Sequence, residues 1–404
     1  MHKLEVNSTA QSAEDTVGAS RFRSPQYLCL YRRTLATAGL AAGLIVHTQG
    51  FAQVAISTSP GVRTATDAAR TFDPEAAARE TWRAVIRNAP EPGKGCFHVK
   101  YPNVAWESVE CAGSPAHPAR AAAGNHYDYV AQATGLISRA AGDFEGATNV
   151  TSETSVGGDK GATDGPNEYD LQMNTNSNGR TDACGDYTDC TVWQQYIYAT
   201  DYNCGGTACG QAALFIQYWL LSWTGNCPKD YWGNNWQLGG KPWPDNNGCF
   251  KNSSQVALPD IPVNELGCCV RLIASAQAGK NDSLALEYGD DVYFVSGDDS
   301  VLDIASVWTQ AEFNVVGDNE YSQAQFNLWS SIPVTLVLTD GSNSAPTCVP
   351  PQYYDGTTGE TNNLNLGTCY VGVGEPYGSP VSIPTPYIQF TQSLIPIMPI
   401  KFSE

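Results

Sequence analysis

From Leu266 to Leu338 the chain is a succession of short β-branched and aromatic runs separated by glycine–acid turns, and that spacing restricts the fold more than any other feature. The runs are Leu266–Ala276, Ser283–Tyr288, Val292–Val295, Val301–Val316 and Ile332–Leu338, with turns at Gly279-Lys-Asn-Asp, Gly289-Asp-Asp and Gly297-Asp-Asp-Ser. Branched and aromatic side chains fit a pleated, half-buried surface, and Gly-Asp pairs supply hairpin backbone geometry. Earlier segments behave alike. Val192–Ala199 and Ala212–Trp223 read as strong strands, Asp128–Arg139 and Glu168–Met173 as weaker ones. Many strands at short intervals predict an all-β fold, a two-sheet antiparallel β-sandwich of concanavalin or jelly-roll type.

The N-terminal part differs. Tyr31-Arg32-Arg33 precedes an apolar run, Leu35–Val46, and Gly50-Phe51-Ala52 puts small residues before a cut after Ala52. That is the order of a secretory signal, so residues 1–52 read as a leader with an upstream extension. No later apolar run approaches the ~20 residues that span a bilayer. A secreted or periplasmic protein, free of the membrane after signal removal, is expected. Residues 53–125 are rich in Ala and Arg and contain one convincing helix, with Asp73 as N-cap, Pro74 at the first position and Pro90 as the stop. This N-terminal segment reads either as a propeptide whose helix covers an acidic cleft or as an arm docked on the body. Residues 126–346 then form the sandwich domain, and 347–404 a Pro/Gly-rich extension packed on it.

Of 13 cysteines, Cys29 lies in the leader. The even remainder suits an oxidising compartment. Neighbouring pairs suggest Cys96–Cys111, Cys184–Cys190, Cys204–Cys209, Cys227–Cys249 and Cys348–Cys369. Adjacent Cys268 and Cys269 make a vicinal bridge or two bonds elsewhere. The formal charge of −19 disfavours nucleic acid and anionic membranes as partners. A monomer is expected.

Exclusion narrows the chemistry. After the leader the histidines are His98, His117 and His126, so the β-body beyond them lacks the base of a Ser–His or Cys–His mechanism. Histidine-built metal motifs are missing, and no metal or cofactor is expected. Asn174–Gly179 matches a calcium loop only in part. Carboxylates and amides remain. In Ser306–Asp318, strand alternation puts Trp308, Gln310, Glu312, Asn314 and Val316 on one face. A mid-strand carboxylate there is costly without a partner or a purpose. In Ala212–Trp223 the same rule groups Phe215, Gln217, Trp219, Leu221 and Trp223, with Gln217 a lone amide in an aromatic stripe.

A Trp-led strand (Trp193-Gln-Gln-Tyr-Ile-Tyr198), an Ile216-Gln217 strand, a meander and then Ala311-Glu312-Phe313 follow in an order that resembles the eqolisins, the secreted glutamic peptidases built on a concanavalin-like sandwich. The resemblance spans roughly 190–340. It implies an acid-acting endopeptidase on protein or peptide substrates. Glu312 would be the general base and Gln217 the oxyanion donor. Trp219, Trp223 and Trp308 would line the cleft beside Gln310 and Asn314. The sequence departs from the family where Phe313, Asn314 and Val316 replace the Trp, aliphatic residue and second Glu of its A-E-W-I-V-E strand. The alternatives are a non-catalytic module binding glycan or another surface ligand, and a glycosidase pairing Glu312 with Glu287 or Asp303.

Overall fold

The computed structural model describes residues 73–113, 128–157, 165–201, 210–229, 236–243, 246–318, 322–351, 361–374 and 385–395. The leader, the Pro115–Ala123 linker and the Cys204–Cys209 pair lie outside them. In chain order the elements are helix α1 (Pro74–Asn88), β1 (Cys96–Lys100), β2 (Glu107–Val109), β3 (Val130–Gln132), β4 (Arg139–Asp143), β5 (Glu153–Gly157), β6 (Tyr169–Thr175) and β7 (Thr191–Ala199). Next come β8 (Gln211–Leu221), β9 (Gln237–Trp243), β10 (Asn246–Asn252), β11 (Val256–Pro259), the one-turn helix α2 (Leu266–Cys269), β12 (Val270–Ser275) and β13 (Asn281–Tyr288). Then follow β14 (Asp291–Asp298), β15 (Gln310–Gly317), β16 (Ser322–Phe326), β17 (Ser331–Thr339) and β18 (Thr347–Val349). The last are β19 (Thr361–Asn362), β20 (Asn365–Leu366), β21 (Tyr370–Gly374) and β22 (Thr385–Ser393).

Two antiparallel sheets carry the fold. The ten-stranded sheet runs β2-β1-β14-β13-β12-β4-β17-β22-β20, with β21 also on β22. The nine-stranded sheet runs β18-β3-β15-β6-β7-β8-β10-β9, with β11 on β8. Strand alternation sends Leu272, Leu284, Leu336 and Phe390 of one sheet and Leu171, Tyr196, Leu214 and Phe313 of the other into a common core. Each such side chain contributes about 1.5–3 kcal/mol by leaving water. A sandwich is what the alternation predicted. Described strands β1 and β2 and the tail strands β18 and β20–β22 are members of these sheets, so the boundaries at 126 and 346 do not separate packed layers.

Four disulfides form as paired from spacing: Cys96–Cys111, Cys184–Cys190, Cys227–Cys249 and Cys348–Cys369. Among the described residues no helix is long and apolar enough to cross a membrane.

Helix α1 starts where the sequence said, with Asp73 Oδ1 accepting from the Glu75 and Ala76 amides at 3.0 and 3.3 Å. Trp82 and Ile86 pack on Val99 and Val292. Arg87 grips both oxygens of Glu287 through Nε and Nη2, at 2.6 and 3.1 Å, and Arg79 pairs with Asp290. The helix does cover acidic residues. They belong to the outer face of the ten-stranded sheet, however, and Glu312 and Gln217 belong to the other sheet.

The strand expected over Val301–Val316 is shorter. Asp299–Val301 and Ile304–Ser306 are 3-10 turns, with Asp303 between them in the left-handed region at φ 52°, and β15 begins only at Gln310. Trp308 therefore escapes the strand's alternation. Leu266–Ala276 is likewise split between the α2 turn and β12.

Candidate functional site

The register of the nine-stranded sheet aligns five polar side chains. Glu312 of β15 lies opposite Asn174 of β6, Asn174 opposite Gln195 of β7, Gln195 opposite Gln217 of β8, and Gln217 opposite Asn252 of β10. Their neighbours two residues away on β7, β8 and β10 are Trp193, Trp219 and Phe250, which form an aromatic cluster separate from the main core. The row therefore runs across the face turned away from the other sheet. Antiparallel pairing explains it: β7 reads W-x-Q at 193–195 and β8 reads Q-x-W at 217–219, so Trp meets Trp and Gln meets Gln.

Hydrogen bonds give the row a direction. The Trp219 indole N–H donates to the carboxamide oxygens of Gln195 and Gln217, at 3.0 and 2.9 Å. Gln217 Nε2 donates to Asn252 Oδ1 at 2.8 Å. With its oxygen held by Trp219, Gln195 turns its amino group toward β6 and donates to Asn174 Oδ1 (3.2 Å) and Gln172 Oε1 (3.1 Å). Asn174 Oδ1 thus accepts from Gln195, and the residue stands directly opposite Glu312 in the register. Gln195, Gln217 and Trp219 are fully buried, and Glu312 is 6% exposed.

Around Glu312 the strand is held on both edges, by Val130 of β3 and Asn174 of β6. Asn176 Oδ1 accepts from the Thr309 and Gln310 amides (2.8 and 3.3 Å) and fixes where β15 starts. That gives the Asn174–Gly179 stretch a structural duty; among the described residues no group of three acidic, His or Cys side chains could hold a metal ion. Gln310 donates to Gln132 Oε1 at 2.7 Å. Asn314 binds Asp128 and exchanges hydrogen bonds with Gln392 of β22.

The structure brings together some of the residues expected at the site and not others. Glu312 and Gln217 share one face and one row, yet two strands intervene. Three strand spacings put their backbones about 14 Å apart, and Gln217 turns its amino group away, toward β10. One water does not bridge them. Trp219 sits beside the row and donates to two of its amides. Gln310 and Asn314 flank Glu312 on its own strand, each engaged with other side chains. Trp308 does not share the face of Glu312: it is buried in the main core, 5.8 Å from the Tyr196 ring. Trp223 lies beyond the end of β8, against Tyr187 at 4.0 Å, with its indole N–H on Asn226 O. Glu287 belongs to the ten-stranded sheet and is bound by Arg87, so it forms no pair with Glu312.

Asn174, Gln195 and Asn252 were missed as site residues. The mirrored W-x-Q and Q-x-W patterns were the available signal for Gln195. Nothing in the local sequence marked Asn174 or Asn252, because both are defined by partners on other strands.

Away from the row, Glu153 and Asp282 are buried carboxyls with other acids nearby. Burial pushes Glu153 up to about 9, with the Asp318 and Glu168 charges adding to the effect. Burial pushes Asp282 up to about 8, against the opposing bond from Gln194 and with help from Asp299, Asp303 and Asp298. These acids keep their protons well above the usual carboxylate range.

No protein family, curated protein or solved structure matches the chain.

Proposed function

We propose that the chain is an acid-acting hydrolase of the glutamic-peptidase type, with Glu312 as the proton-transfer group and protein or peptide as substrate. One observation supports this above the others: the relay from Trp219 through Gln195 ends on Asn174, an amide that stands directly opposite the Glu312 carboxylate on the same face. Glu312 takes a proton from a water attacking the scissile carbonyl and returns it to the leaving amine. The Asn174 amino group stabilises the oxyanion, the role the family resemblance would give Gln217. Gln217 and Gln195 are then positioning residues. The protonated buried acids Glu153 and Asp282 suit a protein that works in acid.

The near-complete burial of Gln195, Gln217 and Trp219 favours a second reading, a secreted binding module for glycan or another surface ligand in which the row is structural. Incubating the secreted protein with denatured protein from acid to neutral pH decides between them. The first reading requires acid-limited cleavage that Glu312→Gln abolishes and that serine, thiol and chelating reagents leave intact. Cleavage unaffected by Glu312→Gln sinks it, and binding without cleavage supports the second.

A further inference from the structure

On the far side of the sandwich, a cleft opens between the C-terminal end of α1 and the outer face of the ten-stranded sheet. We propose that it binds a small organic carboxylate. It encloses about 60 Å³, room for a molecule of a few heavy atoms, since one water needs roughly 10–15 Å³ on that measure. Ile86, Ile273, Val292 and Phe294 make its apolar walls.

Two donors, from Arg139 and Ser275, line this space, and a third, from Trp106, is buried in its wall. Arg139 makes a single hydrogen bond among the described residues, from Nη1 to the Arg87 carbonyl at 3.2 Å, which leaves its other N–H groups without acceptors. The Trp106 indole N–H is buried and has no partner among the described residues. Ser275 brings a hydroxyl to the lining. A guanidinium with a hydroxyl in the same lining suits a planar carboxylate, the apolar walls suit a short hydrocarbon body, and the buried Trp106 indole in the wall reports on the site.

Two acids share the lining, and they differ. Glu287 has both oxygens on Arg87, and its charge also reaches Arg139. Among the described residues Glu91 is held only through Ser283 Oγ, at 2.9 Å, so its charge competes with an incoming carboxylate for Arg139. That competition gives the proposal a directional test.

Propionate is titrated into the full protein at constant ionic strength while the Trp106 indole N–H resonance is followed by NMR. Propionamide and chloride serve as comparisons. A saturable shift specific to propionate is expected. Arg139→Met should weaken it at least ~tenfold, the loss of one charge-assisted contact, and Glu91→Gln should tighten it several-fold. Circular dichroism checks that each variant is folded, and Glu91→Gln carries the test if Arg139→Met is not. An indole signal that ignores propionate, that answers propionamide equally, or that is unchanged by Glu91→Gln overturns the proposal and leaves a cleft filled by water.

Discussion

Gln195 and Gln217 stand directly opposite each other on β7 and β8, and a single indole N–H, that of Trp219, serves both carboxamide oxygens. Removing that donor leaves two buried acceptors without it. Trp219→Phe should therefore lower stability by about 2 kcal/mol, the cost of stranding buried polar groups, although a ring is kept. Urea unfolding measures it. A change below a few tenths would show that the row relaxes around the lost donor.

The relay also ranks the amides. Asn174→Ala removes the donor next to Glu312 and should reduce kcat by about 10²–10³ with little change in KM, as for an oxyanion contact. Gln217→Met acts only through Trp219, so its effect on kcat should stay within about tenfold of wild type. Steady-state kinetics on a peptide substrate in acid compares them. The reverse ranking would restore Gln217 to the reacting centre.

Stability should decline as pH rises. An unfolded Asp or Glu titrates near 4, whereas Asp282 and Glu153 hold their protons to about 8 and about 9 because of burial first and neighbouring acids second. Between those limits the folded state binds protons that the unfolded chain has released. Their contribution is fully present below about pH 4 and is lost toward pH 8 to 9, at up to about 1.4 kcal/mol per pH unit for each group. Calorimetric Tm values from pH 4 to 9 should fall accordingly. Asp282→Asn and Glu153→Gln should each flatten the decline, and slopes parallel to wild type would refute the assignment.

The ion pair between α1 and the ten-stranded sheet should be strongly coupled. Glu287 is almost fully buried, and Arg87 supplies its two short contacts while Arg271 stays 3.9 Å away. Arg87→Met should cost about 3 kcal/mol, since it leaves a buried charge under-compensated, and adding Glu287→Leu should recover most of that. A double-mutant cycle in urea reads the coupling, and additive effects would mean the pair is solvated.

Much of the fold was legible because it depends on local periodicity. The hairpin at Gly289-Asp290, the Asp73 cap and the four close-spaced disulfides all follow from residues near each other in sequence. Trp308 was misread because two 3-10 turns break the alternation before Gln310. The candidate site was half legible. Parity put Glu312 and Gln217 on faces of their own strands, but strand order decides which polar groups become neighbours, and β6 and β7 intervene through long-range pairing that no local pattern encodes.

The residue after Glu312 is set by packing between the sheets. Phe313 points into the core and stacks on Phe144, with ring centroids 4.8 Å apart, directly over Gly142 of β4. A Cβ at 142 would fall 2.3 Å from the Phe313 ring, far inside contact distance. The ring is also stacked on Phe144 and the clash reaches its Cγ, so relief shifts β15. Gly142→Ala should then cost about 1–3 kcal/mol, the usual penalty for overpacking. It should also lower kcat through displacement of Glu312, while the amides of the row on β6, β7, β8 and β10 keep their residues. Phe313→Leu frees the space the methyl needs, so the double variant should regain both stability and activity relative to Gly142→Ala. Urea unfolding and acid peptidase kinetics on the three variants check this, and recovery of stability without activity would show that the Phe313 packing does not set the position of Glu312.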